Sequence, residues 1–144
     1  MGFAEDVIHS YITRSLRRVF PEREGWEIRR RPKENHTIPD YFLQKKRFGR
    51  TRRVLVEVAL VPKVTLSQID SLREYAAKME RLLLPTDTLM IVVPSGADVS
   101  RVPEAIEILY LDVLRVEGDE IVWVKKFGRG GDQDEADLPD TGNL

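Results

Sequence analysis

Ile38-Pro39-Asp40 and, after a basic loop, Val54-Leu55-Val56-Glu57-Val58-Ala59 decide how this chain folds. The first stretch sets an aspartate at the opening of a strand, and Pro39 holds Ile38 extended. The second sets a glutamate inside an otherwise apolar strand. Its period of two puts Val54, Val56 and Val58 on one face and Arg53, Leu55, Glu57 and Ala59 on the other. Glu57 therefore has an apolar neighbour on either side of its own face. An unpaired carboxylate buried there costs on the order of several kcal/mol. Two carboxylates that converge do not both stay ionised without a cation between them. Hard oxygen donors select Mg²⁺ or Mn²⁺, which retain water and bridge to phosphate. Plainer alternatives stand beside this. Glu57 can pair with an arginine of the next strand or point out from an edge, and Asp40 can bond local amides at a strand start.

Working outward, residues 3 to 20 repeat apolar side chains at helical spacing (Phe3, Val7, Ile8, Tyr11, Ile12, Leu16, Val19), and Pro21 and Gly25 close that helix. Residues 25 to 31 form a short strand, 38 to 44 a second and 52 to 60 a third, broken by Pro62. Thr65 or Ser67 caps a second helix reaching Leu84, with Ile69, Leu72, Ala76, Met79 and Leu83 along its apolar face. Leu89 to Val93 is a continuous apolar run and predicts a strand covered on both faces. A helical turn is expected over 103 to 107, a strand over 108 to 111, and a hairpin joining 114–117 to 120–125 about Gly118-Asp119. The order is that of an α/β domain with one central mixed sheet.

The 144 residues suit one domain, taken as 1–127, followed by an acidic tail, 128–144. That tail carries Asp132, Asp134, Glu135, Asp137 and Asp140 with almost nothing apolar, and disorder is expected for it. No cysteine is present, which excludes disulfides, thiolate catalysis and Cys-rich zinc sites. The acidic start and the lack of a long apolar run point to a cytoplasmic protein without a membrane partner. A net charge of −1 conceals an asymmetry: residues 1–63 hold 15 Lys and Arg against 8 Asp and Glu, whereas 64–144 hold 8 against 16. A basic first half suits a polyanionic partner, although many solvated faces share that composition.

Pro39-Asp40, Glu57-Val58-Ala59 and the element order together resemble the PD-(D/E)XK nuclease superfamily over about residues 3 to 111. The resemblance implies a restriction-endonuclease-like αβββαβ core, a central mixed sheet flanked by helices. It implies divalent-metal-dependent hydrolysis of nucleic-acid phosphodiesters, DNA above all. Asp40 and Glu57 would be metal ligands, with the Val58 carbonyl a third, and Mg²⁺ or Mn²⁺ the cofactor. Glu5 matches the first-helix acid of many members; on its own residues it lies near the edge of the apolar stripe and equally suits the helix N-terminus. Members that cut duplexes act in pairs, so a homodimer is implied.

The departure is Ala59, which stands where the family has a lysine that orients water and stabilises charge on the phosphate. Lys63 is the nearest downstream substitute. Without one, a catalytically inactive module for nucleic-acid or protein binding is the alternative to an enzyme. Gln68 and Tyr75 lie along one flank of the second helix, where some relatives carry a Gln and a Tyr; they read equally as a boundary polar residue and a core-edge aromatic. Arg30 and Lys33, with Lys45, Lys46, Arg47 and Arg50, are expected on both sides of a phosphate-binding groove, though alternate strand residues face opposite ways. His36 is a further general base near Asp40.

Overall fold

The computed structural model describes residues 2–32 and 39–124, the side chains of 2–5 excepted. Lys33, His36, Ile38 and the acidic tail lie outside these residues. Helix α1 (Gly2–Val19) is followed by a single 3-10 turn at Glu22–Glu24 and by β1 (Trp26–Arg30), β2 (Tyr41–Arg47) and β3 (Arg50–Val58). Helix α2 (Leu66–Arg81) then leads to β4 (Thr88–Ser95), β5 (Ile106–Glu117) and β6 (Glu120–Trp123). The six strands lie in sequence order in one sheet. β1, β2 and β3 form an antiparallel meander, β4 and β5 join parallel, and β6 returns antiparallel. This is an α/β fold with a mixed sheet, and α2 is the crossover that lets β4 run parallel to β3.

The alternation read in β3 divides the core. Val54 and Val56 turn to one side, where Tyr41, Leu43 and Val92 meet Ile12 and Leu16 of α1. Leu55 and Ala59 turn to the other, where Ile91 and Val93 meet Ile69 and Leu72 of α2. β4 is thus buried on both faces, which explains its unbroken apolar run. The start of α2 is fixed by a reciprocal pair: the Thr65 hydroxyl accepts from the Gln68 N–H, and the Gln68 side chain accepts from the Thr65 N–H at 3.0 Å. The helix ends at Arg81 rather than Leu84, because Leu83 adopts a left-handed φ of 63° and Leu84 N–H bonds back to the Met79 carbonyl.

One expectation fails around β5. A single turn closes at 103–106, the Ile106 N–H bonding the Pro103 carbonyl at 3.0 Å, but the strand then runs unbroken through Asp112 to Glu117. The register against β4 shifts between Pro94 and Ser95, so that Leu111 and Leu114, three apart, both reach the α1 side. An irregularity opposite a proline, which has no ladder N–H to lose, lets the strand continue where its alternation breaks.

β2 and β3 are joined by Phe48-Gly49, with φ of 54° and 74°. Positive φ at both central residues gives the tight hairpin turn that matches strand twist. Glycine adopts it freely, whereas a left-handed phenylalanine costs about 1–2 kcal/mol. Phe48 is also 90% exposed, so burial does not offset that cost. Among the described residues no helix is long and apolar enough to cross a membrane.

Candidate functional site

The meander places three charged residues in a row. β1 and β2 pair Arg30 with Tyr41, and the ladder runs one step further through a hydrogen bond from Arg31 N–H to the Asp40 carbonyl, 2.9 Å. β2 and β3 pair Tyr41 with Val56, so the next step sets Asp40 opposite Glu57. Residues opposite each other in antiparallel strands share a face. Arg31, Asp40 and Glu57 therefore all turn to the α2 side, at the end of the meander away from the Phe48 turn.

The Asp40 carboxylate is held from both ends. Oδ2 accepts from the Val58 N–H at 2.7 Å, and Oδ1 lies 3.1 Å from an Arg31 guanidinium nitrogen. The two side chains are only 15% and 23% exposed. Glu57 is less well provided for. Its Oε1 is buried and meets no hydrogen-bond donor among the described residues. Burial first, then the negative charge of Asp40, pushes the Glu57 carboxyl up from an ordinary 4.5 to about 7; a bond from the Asp40 backbone amide and the Arg31 charge oppose the rise. The phenol of Tyr75 on α2 is raised by burial and then by the charge of Glu57, which brings that residue to the same neighbourhood.

A carboxyl raised by folding makes stability fall as pH climbs. Below 4.5 Glu57 is protonated whether the chain is folded or not, and there is no penalty. From there to about 7 the unfolded chain releases a proton that the folded chain keeps, and above 7 the full penalty is present. Glu57→Gln is thus expected to be more stable than the parent at pH 8 by about 1–2 kcal/mol, well below the full linkage value because the carboxyl keeps some solvent. At pH 4 the two should coincide. Urea midpoints in EDTA at both values check this, and equal midpoints at pH 8 would contradict it.

The remaining sequence candidates distribute unevenly. Ala59 is 1% exposed, its N–H bonded to the Val92 carbonyl at 2.8 Å, and its methyl group lies in the apolar layer under α2. Lys63 forms an isolated bridge with Asp98 and its charge acts on that residue; the cation acting on Glu57 is Arg31. Gln68 is committed to capping α2 through Thr65, which corrects its supporting role. The side chain of Glu5 lies outside the described residues. Arg30 turns to the α1 side, 3.8 Å from Asp6.

The basic residues of the β2–β3 hairpin do not flank the acids. Arg50 is seven residues from Glu57 along β3, about 23 Å at strand rise. Lys45, Arg47, Arg50 and Arg52 share the α1 side with Trp26, opposite the carboxylates, whereas Lys46 turns to the α2 side. The expected single groove is two separate surfaces.

The donors suit a small hard cation. Glu57 Oε1 has no donor, and Asp40 retains lone pairs beyond the two bonds it accepts. Mg²⁺ commonly takes one or two carboxylates and keeps several waters. Among the described residues no group of three or more His, Cys, Asp or Glu forms, so protein would supply a minority of the ligands. Arg31 joins the site although nothing in its local sequence singles it out from its arginine neighbours. The parity of β1 against Asp40 was the signal that singles it out. Compared with protein-family models, curated proteins and solved structures, the chain matches none.

Proposed function

We propose that this is a restriction-endonuclease-like protein that hydrolyses nucleic-acid phosphodiesters with Mg²⁺ or Mn²⁺ at Asp40 and Glu57. The observation that carries the reading is the buried, donorless Oε1 of Glu57 facing a second carboxylate on the adjacent strand. The meander, the α2 crossover and the parallel β4 support it. When bound, the cation would polarise a phosphoryl oxygen and lower the pKa of a coordinated water. The rise of the Glu57 carboxyl to about 7 belongs to the metal-free protein; a bound cation would hold Glu57 ionised as its ligand. Arg31 supplies positive charge beside the two acids, the electrostatic part that a lysine at position 59 would otherwise play.

A specific observation favours a second reading, an inactive nucleic-acid-binding module. Arg31 already neutralises Asp40, and Ala59 is sealed under α2. The two separate on Mn²⁺ titration calorimetry and on incubation with single-stranded, duplex and branched DNA. Cleavage that needs Mn²⁺ and is lost in both Asp40→Asn and Glu57→Gln supports the hydrolase. No Mn²⁺ heat and no cleavage in the parent protein, under conditions where it still binds DNA, establishes the second reading.

A further inference from the structure

We propose that the β2–β3 hairpin is a separate binding site for single-stranded nucleic acid, with Phe48 stacking on an unpaired base and Lys45, Arg47, Arg50 and Arg52 contacting its phosphates. It deepens the nucleic-acid part of the function proposed above, but needs neither the metal nor the carboxylates. Leu83 shares with Phe48 a left-handed φ and high exposure but closes α2, whereas Phe48 sits in a hairpin turn that glycine or asparagine would make more easily. Phe48 holds a left-handed φ of 54° and is 90% exposed, so neither backbone preference nor burial accounts for an aromatic there. Such an outlier points to a task outside the fold.

The surroundings define the task. Paired residues Lys45 with Arg52 and Arg47 with Arg50 put four cations on one sheet face, spaced about 7 Å along each strand. The Arg47 guanidinium lies 5.3 Å from the Phe48 ring centre. Behind them the Lys45 ammonium and the Arg52 guanidinium lie 5.5 Å and 5.8 Å from the Trp26 ring centre, so an aromatic holds both charged heads on this face. Among the described residues no carboxylate is bridged to any of the four. A second copy would bring like charges together. A lipid surface would gain one ring of apolar area. An unpaired strand uses both parts, since every base has a face that stacks and every linkage a phosphate.

The test is fluorescence anisotropy in EDTA with the full chain, a labelled oligodeoxythymidine, a duplex of the same length, and phosphatidylserine vesicles. The parent protein should bind the single strand more tightly than the duplex. Phe48→Ala should weaken single-strand binding about 5- to 100-fold, and Phe48→Trp should retain it. Arg50→Gln should flatten the salt dependence by about 0.7 in log–log slope. Phe48→Asn separates binding from folding: asparagine tolerates the left-handed turn, so the melting temperature should rise by about 2–5 °C while binding falls. Equal single-strand affinity in Phe48→Ala, or tighter binding to vesicles than to the oligonucleotide, overturns the proposal. Binding with this pattern but no Mn²⁺-dependent cleavage leaves the hairpin standing and removes the hydrolase. Cleavage with an indifferent Phe48→Ala does the reverse.

Discussion

Asp40→Ala is expected to lower stability by about 2–3 kcal/mol at neutral pH. The deletion removes two bonds at once, the Val58 N–H at 2.7 Å and the Arg31 guanidinium at 3.1 Å. It leaves an amide without its acceptor and a guanidinium with reduced compensation. Asp40→Asn keeps an acceptor oxygen and should cost about 1 kcal/mol less. The loss is cushioned because Arg31 also acts on Glu57. With the Asp40 charge gone, the Glu57 carboxyl should titrate below the parent's value of about 7. Urea midpoints at constant slope give the first quantity. Carboxyl carbon shifts across pH give the second. An Asp40→Ala protein within about 0.5 kcal/mol of the parent would show that this carboxylate does not organise the end of the meander.

Ala59→Lys should be comparably damaging, by about 2–4 kcal/mol. Restoring the lysine of the resembled family looks conservative in sequence, and the fold makes it otherwise. Position 59 is sealed against Ile69 and Leu72 beneath α2, so a four-carbon stem has to displace that layer. The ammonium would gain Glu57 as a partner, which offsets part of the desolvation. Ala59→Leu separates the contributions, since it adds volume without charge. Loss in both variants identifies packing as the cause. An Ala59→Lys protein as stable as the parent would mean the position is open to the site after all.

The meander and the two helices were legible because their signals are local and repetitive. Alternation in 54–59 assigns Glu57 and Ala59 to one face, and that face is the one under α2. The continuity of β5 from 108–111 into 114–117 is not legible because a register shift is a relation between strands, invisible along either one. Lys63 was chosen by nearness in sequence, whereas Arg31 is near only through pairing. Gln68 fits a capping box as well as a flank, and the backbone amide of Thr65 took it. The sorting of the hairpin cations onto two faces follows from strand alternation, but which face holds the acids depends on the pairing of β2 with β3.

The row Arg31, Asp40, Glu57 has a consequence for how faithfully the sheet assembles. Each charge belongs to a different strand, so their meeting depends on pairing alone. A slip of one residue between β2 and β3 would carry Asp40 or Glu57 to the opposite side, against the apolar layer of Ile12 and Leu16. Mispaired sheets are thereby penalised by an isolated ion in a dry interior, on the order of several kcal/mol. The two acids would in this way favour correct alignment of β2 with β3, a reason to retain them that persists even if no bond is ever cleaved there.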